Sequence, residues 1–342
     1  MLAVAQTRGS CALKFTQQFK ISAEMEKGAM KDYICGWSSG DSVKRVHIPE
    51  DCLGQEIVVG IDEAGRGPVL GSLVYCAAFW PVSKNEDICK MGFDDSKQLK
   101  EGQREDFFDD IRKHPSIGYI IEELDAVTIS KEMLRANPNS LNLISYNAVI
   151  RMLEKIRDLP SDGKQMTVTD VYVDTVGDPE HYKSILVRAM GNEFANKFTI
   201  EKKADATYKV VSAASIIAKV TRDRVLHEWI YPEHSVLNGL DKKFGSGYPG
   251  DENCANWLQR AYHPFFGFPN IVRFSWSTAR EYMVKNNAID LLWECDEEDS
   301  QSGALMTMFT SANEKTGTKR KRTGYYSKLK LKHVDPITEF LA

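Results

Sequence analysis

Asp62 and Glu63 stand side by side directly after the apolar run Ile57-Val58-Val59-Gly60-Ile61, and Asp174 closes Val171-Tyr172-Val173 in the same way. Phe198-Thr199-Ile200 reads as a short strand, and Asp205 follows this strand-like segment within Lys203-Ala204-Asp205-Ala206-Thr207-Tyr208. Carboxylates that end buried strands are costly unless something neutralises them. If these segment ends meet, four carboxylates share one spot, each raises its neighbours' pKa, and divalent cations relieve the repulsion. Ligands made of oxygen alone point to Mg2+ or Mn2+ rather than zinc. Two such ions, roughly 4 Å apart, would activate a water and stabilise the leaving oxygen in an in-line attack on phosphate. Asp62, Glu63, Asp174 and Asp205 are thus the expected metal ligands and catalytic residues.

Each signal alone is weak. Asp62-Glu63 suits a surface turn, Asp174-Thr175-Val176-Gly177 is a good turn sequence, and Asp205 could be a polar residue ahead of a helix. Convergence carries the expectation. Beside the first pair, Gly65-Arg66-Gly67 offers backbone that a sugar can approach closely, and Arg66 offers planar donors for phosphate or a hydroxyl. Lys97, in Asp94-Asp95-Ser96-Lys97, is a candidate phosphate contact. Lys202, Lys203, Lys209, Lys219 and Arg222 surround the last carboxylate and read mainly as a solvated face. Gly65 to Gly71 nearly spells a dinucleotide fingerprint, but its third glycine comes one residue late and two acids precede it.

These residues need a scaffold. Ile57–Ile61 and Leu73–Trp80 read as neighbouring strands joined by a Gly- and Pro-containing turn, and Val168–Val173 as a further buried strand. Lys100–Lys113 reads as an amphipathic helix. So does the segment carrying Ile144, Ala148, Met152 and Ile156, capped by Ser140 or Asn142. Val210–Trp229 is a long helix, and one more is expected from Trp276 to about Trp293. Strands alternating with helices give an α/β core. The expected organisation is an arm over 1–54, flexible in part, a core over 55–230, a C-terminal helical extension over 231–293, and a low-complexity tail over 294–342 with the basic cluster Lys319-Arg320-Lys321-Arg322.

The 342 residues are 42% hydrophobic and carry a formal charge of −4, so a polyanion must be held by local basic groups or bridging cations rather than bulk charge. The seven cysteines are scattered with no zinc-type pair, and the seven histidines show no metal-type spacing. No serine-nucleophile elbow and no phosphate-binding loop of the nucleotide triphosphatases is present. Neither a membrane span nor a secretory signal is expected, which leaves cytosol or nucleus.

GIDEAGRGPVLG (Gly60 to Gly71) resembles the opening motif of the type 2 ribonucleases H. DDSKQL (Asp94 to Leu99), VYVDTVGDP (Val171 to Pro179), KADATYKVVSAASIIAKVTRD (Lys203 to Asp223), FGSGYP (Phe244 to Pro249) and FGFPNIVRFSW (Phe266 to Trp276) resemble its later motifs in the same order. The resemblance covers about residues 55 to 280 and is nearer the eukaryotic catalytic subunits than the shorter bacterial enzymes. It implies a ribonuclease H-like mixed sheet with flanking helices and a C-terminal helical extension. It also implies hydrolysis of RNA in RNA/DNA hybrids and of single ribonucleotides embedded in duplex DNA. The resemblance further implies a cut 5′ of the ribonucleotide that leaves 3′-hydroxyl and 5′-phosphate ends.

Carried over by motif, the metal-binding carboxylates fall on Asp62, Glu63, Asp174 and Asp205, the turn that senses the 2′-hydroxyl on Gly65, Arg66 and Gly67, and the tyrosine at the RNA-to-DNA junction on Tyr248. Reading a 2′-hydroxyl is the physical way to tell RNA from DNA. The resemblance further implies two accessory subunits in a heterotrimer, and Lys319 to Arg322 suits a nuclear signal, with a cytoplasmic pool. Two departures stand out: Ser145-Tyr146-Asn147 where the family commonly has Ser-His-Asp, and Lys209 where a proline is common. They touch residues behind the site, not the four carboxylates. The competing expectations are a subunit that keeps the fold without catalysis, which should lack a carboxylate, and an integrase-, transposase- or resolvase-type enzyme, which should lack the Gly-Arg-Gly turn.

Overall fold

The computed structural model describes residues 43–93, 99–135, 137–159, 164–175, 177–233, 240–264 and 266–288. The strands are β1 (Val43–His47), β2 (Glu56–Ala64), β3 (Leu73–Pro81), β4 (Gly118–Leu124), β5 (Thr167–Asp174) and β6 (Phe198–Glu201). Between and after them run α1 (Asn85–Cys89), α2 (Glu101–Lys113), α3 (Ala126–Leu134), α4 (Leu141–Asp158), α5 (Pro179–Met190), α6 (Ala204–Thr207), α7 (Lys209–His227), α8 (Glu252–Ala261) and α9 (Ser277–Lys285).

Among the described residues the strands form one mixed sheet in the order β1-β4-β3-β2-β5-β6. β2 lies inside it, antiparallel to β3 and parallel to β5, and β5 is parallel to β6. The C-terminal ends of β2 and β5 therefore leave the sheet side by side, which is where their acids stand. Both faces are covered, as the nearly unbroken burial of β2 and β3 requires. On one face Ile57, Val59 and Ile61 pack with Ala148, Met152 and Ile156 of α4 and Leu186 of α5. On the other, Val58, Cys76, Ala78 and Trp80 pack with Val211, Ala214 and Ile217 of α7.

Gly60 lets α7 lie directly on β2. A Cβ there would come 2.4 to 2.5 Å from backbone atoms of Val210 and Val211, closer than real atoms approach. A third apolar cluster, around Trp257, Phe244, Phe268 and Ile271, packs against Val69 and Leu70 of the turn that follows β2. The C-terminal extension thus buttresses that turn from behind. No helix among the described residues is long and apolar enough to cross a membrane.

The sequence expectations for β2, β3, β5, β6, α2, α4 and α7 match observed elements to within a few residues. Ser140 is the cap of α4, its hydroxyl accepting from Leu143 N at 3.2 Å. Three expectations need correction. The segment read as an arm contributes β1 at its end, because Val46 is buried while its neighbour Arg45 stays in solvent. Asp205 does not follow a strand directly: it sits in the one-turn helix α6, entered through Lys203 at φ 61. The last helix stops at Lys285 rather than near Trp293, because Asn287 takes the left-handed conformation at φ 57. Residues 289–293 lie outside the described residues, as do Lys97 and the tail with Lys319 to Arg322.

Candidate metal centre and its flanking turn

Side chains alternate along a strand, so Asp62 and Glu63 leave β2 on opposite faces. Asp62 shares the α7 face with Val58, while Glu63 shares the α4 face with Ile61 and stands opposite Tyr75 of β3. Asp62, Asp174 and Asp205 come together, each offering an oxygen within 4.8 Å of the others. Asp62 and Asp205 are buried and Asp174 half-buried. Glu63 is half-buried and lies outside this group.

Each aspartate is held from its own neighbourhood. Asp62 Oδ1 accepts from Glu63 N at 2.7 Å, and its carboxylate also accepts from the Ser215 hydroxyl of α7. Asp174 Oδ1 accepts from Ala204 N at 3.0 Å, which ties β5 to α6. The Ser212 hydroxyl donates to Asp205 O at 2.6 Å, which ties α6 to α7. Ionised carboxylates accept hydrogen bonds but do not donate them, so three of them this close need protons or a cation between them. An all-oxygen donor set of this kind fits Mg2+ or Mn2+.

Burial first, and then the Asp174 charge, push the Asp62 carboxyl up to about 7, against the opposing pull of Ser215, Lys219 and Glu63 N. The folded chain therefore keeps a proton that the unfolded chain releases near the ordinary value of 3.8. In chelator, the stability this proton confers is full below that value and is lost as pH rises towards about 7. Thermal melts from pH 4 to 8 should show this loss in the native chain and not in Asp62→Asn. Parallel profiles for the two proteins would place the proton elsewhere.

The Gly65–Gly71 turn lies beside the aspartates and is gripped from several directions. Gly65 has φ +84, and a Cβ on it would meet Ser72 O at 2.6 Å, so only glycine fits. Arg66 donates to Ser145 Oγ at 2.9 Å and to Asn142 Oδ1, so donors expected to face a substrate are used to pin the turn to α4. A Cβ at Gly67 would lie 3.0 Å from Tyr248 Cε1, which sets the half-exposed Tyr248 ring against the turn.

Sequence reading missed the residue that holds this turn together. Arg273 is fully buried and donates to Gly71 O at 2.9 Å, Arg66 O at 3.1 Å and Gly65 O at 2.6 Å. Its guanidinium lies 4.7 Å from the Trp276 ring centroid, and the Trp276 indole donates to Gly67 O at 3.0 Å. The one available signal was an arginine inside the apolar stretch Ile271-Val272-Arg273-Phe274. Lys219 also departs from its solvated-face reading, because its ammonium donates to Ser215 Oγ at 2.9 Å beside Asp62. The Lys209 ammonium donates to Phe93 O at 2.5 Å. Tyr146 packs on Tyr182, ring centroids 4.4 Å apart, on the α4 side of the sheet.

Comparison with known families decides the class: the family model for ribonuclease HII matches residues 59–279, a span that contains the three aspartates, the turn, Arg273 and Trp276. The chain belongs to the ribonuclease HII family. A ribonuclease H2 subunit of Arabidopsis thaliana is 39% identical over 251 residues, covering 73% of this chain and 81% of its own. The human protein of the same name is 38% identical over 256 residues, covering 75% and 82%. The crystal structure of the ribonuclease H2 from Pyrococcus horikoshii OT3 superposes with a TM-score of 0.54 at 32% identity, over 68% of this chain and all of that one. The mixed sheet is accordingly ribonuclease H-like, and this family member is a metal-dependent endoribonuclease with ribonuclease H activity.

Proposed function

We propose that this ribonuclease hydrolyses the RNA strand of RNA/DNA hybrids and cuts duplex DNA at single embedded ribonucleotides, 5′ of the ribonucleotide, leaving 3′-hydroxyl and 5′-phosphate ends. The observation that supports it best is the convergence of the three aspartates at the end of β2, from which the Gly65-Arg66-Gly67 turn runs directly on; glycine backbone suits close contact with a ribose. Asp62, Asp174 and Asp205, with Glu63 as a fourth carboxylate from the other face of β2, are the residues that would hold two Mg2+ or Mn2+ ions. When bound, such ions supply an activated water and neutralise the charge that develops on the phosphate. The chain's own groups do the rest: the backbone of Gly65, Arg66 and Gly67 faces the 2′-hydroxyl while the Arg66 side chain holds the turn to α4, Tyr248 stacks at the junction where RNA gives way to DNA, and Lys97 contacts a phosphate.

The relatives are named as one subunit of ribonuclease H2, and we assign this chain the catalytic place in a heterotrimer with two accessory subunits. A nuclear site of action with a cytoplasmic pool, serving replication and the excision of ribonucleotides from DNA, follows from that substrate.

The test is cleavage of three end-labelled duplexes, namely an RNA/DNA hybrid, a DNA duplex with one ribonucleotide, and an all-DNA duplex. Each is run with Mg2+, with Mn2+ and with chelator, using the chain alone and with its accessory subunits. Metal-dependent cutting of the first two, at the 5′ side of the single ribonucleotide, is the expected result. Cutting of the all-DNA duplex at a comparable rate would overturn the assignment of 2′-hydroxyl sensing.

A further inference from the structure

The helix α7 turns a polar stripe, Ser212, Ser215 and Lys219, towards the aspartates. Positions 215 and 219 are one turn apart and share a helix face. Ser215 is completely buried, where a hydroxyl is costly unless it is fully used. Its use is defined by donor counting. An ammonium has three donors and no acceptor, and a hydroxyl has one donor and lone pairs. Lys219 Nζ, 2.9 Å away, must donate to Ser215 Oγ, so the single Ser215 proton is left to point at Asp62.

Asp62 is then gripped from two sides, by the Ser215 hydroxyl and by Glu63 N at 2.7 Å on Oδ1. With both donors in place the carboxylate has one orientation, and its remaining lone pairs face Asp174 and Asp205. Donors behind a ligating side chain commonly set its orientation and the affinity of the site.

We propose that Ser215, its hydroxyl oriented by the Lys219 ammonium, is a positioning residue that holds Asp62 ready for the metal ion. The proposal rests on the metal-centre assignment above and deepens it. It treats Lys219 as a hydrogen-bond donor acting through Ser215, whereas a lysine acting only as a nearby positive charge would repel a divalent cation. The two roles make opposite forecasts.

The test measures Mn2+ binding to the full-length chain by electron paramagnetic resonance at pH 8, for the native chain, Ser215→Ala, Lys219→Met, the double variant and Asp62→Asn as reference. Cleavage of an RNA/DNA hybrid is titrated with Mn2+ in parallel, and melts verify folding. Ser215→Ala and Lys219→Met should each weaken Mn2+ binding roughly tenfold or more, within the range seen when donors behind a ligand are removed. The double variant should be no weaker than Ser215→Ala alone, because both changes break one chain of hydrogen bonds. The Mn2+ concentration for half-maximal cleavage should move by the same factor, with the KM for the hybrid unchanged. Native affinity in Ser215→Ala, or tighter binding in Lys219→Met, would overturn the proposal. A native chain that binds no Mn2+ would instead remove the metal-centre assignment, and this proposal with it.

Discussion

Asp62→Asn is expected to lower hydrolysis of an RNA/DNA hybrid roughly a thousandfold or more at saturating Mn2+, while the chain stays folded. Asparagine keeps the shape of the side chain and an oxygen that accepts from Ser215, but it removes the charge that would hold a cation beside Asp174 and Asp205. Losing several kcal/mol of transition-state stabilisation from a metal site, say about 4, corresponds to about three decades in rate. Stability should move the other way. Asp62 is buried and faces the Asp174 charge, so in chelator above pH 7 the neutral side chain relieves a repulsion and Asp62→Asn should melt no lower than the native chain. Single-turnover cleavage and thermal melts on the same preparations check both halves. A variant retaining more than a tenth of native activity would remove Asp62 from the reaction, and a variant that failed to fold would make it a structural residue.

What was legible in the sequence followed from local chemistry. β2 and β5 declare themselves by β-branched runs that end abruptly in acids, and their parallel pairing puts Asp62 and Asp174 at one edge without further instruction. The opposite faces of Asp62 and Glu63 were equally available from strand periodicity, and set Glu63 apart from the three aspartates. Asp205 was legible as a site residue but not in its setting. Its single helical turn begins at a left-handed lysine, a backbone state that nothing in the side chain advertises.

β4 escaped notice because its pattern includes Glu122, fully buried in the sheet and paired with Arg151 of α4, a partner far along the chain. The positioning residues stayed hidden for the same reason. Ser215 and Lys219 sit in a run otherwise apolar enough to be core, and what they do depends on a strand more than 150 residues away. Long-range hydrogen bonds leave no period in the sequence, whereas burial does.

Arg273 gives the sharpest separation between the turn and the metal centre. It is the fully buried guanidinium that closes the Gly65–Gly71 turn, and burial, together with the neighbouring Arg222, pulls its pKa down to about 9. Arg273→Met leaves the carbonyls of Gly65, Arg66 and Gly71 without their charged donor, and should destabilise the chain by about 3–5 kcal/mol, or roughly 10 °C in Tm for a domain of this size. Arg273→Lys keeps the charge but not the planar fork, and one ammonium does not reproduce three bonds spread over seven residues of turn. That variant should recover part of the stability yet cleave a single-ribonucleotide duplex at least tenfold more slowly, because a 1 Å displacement of a positioning element costs about two decades. Its Mn2+ affinity should stay native, since Asp62, Asp174 and Asp205 are held through Ser215, Ala204 and Ser212 and not through Arg273. Melts, Mn2+ titration and cleavage of the three duplexes measure each part separately. If Arg273→Lys lost Mn2+ binding in step with cleavage, the turn and the carboxylates would be one mechanical unit; if it cleaved at the native rate, the turn would not be what positions the ribose.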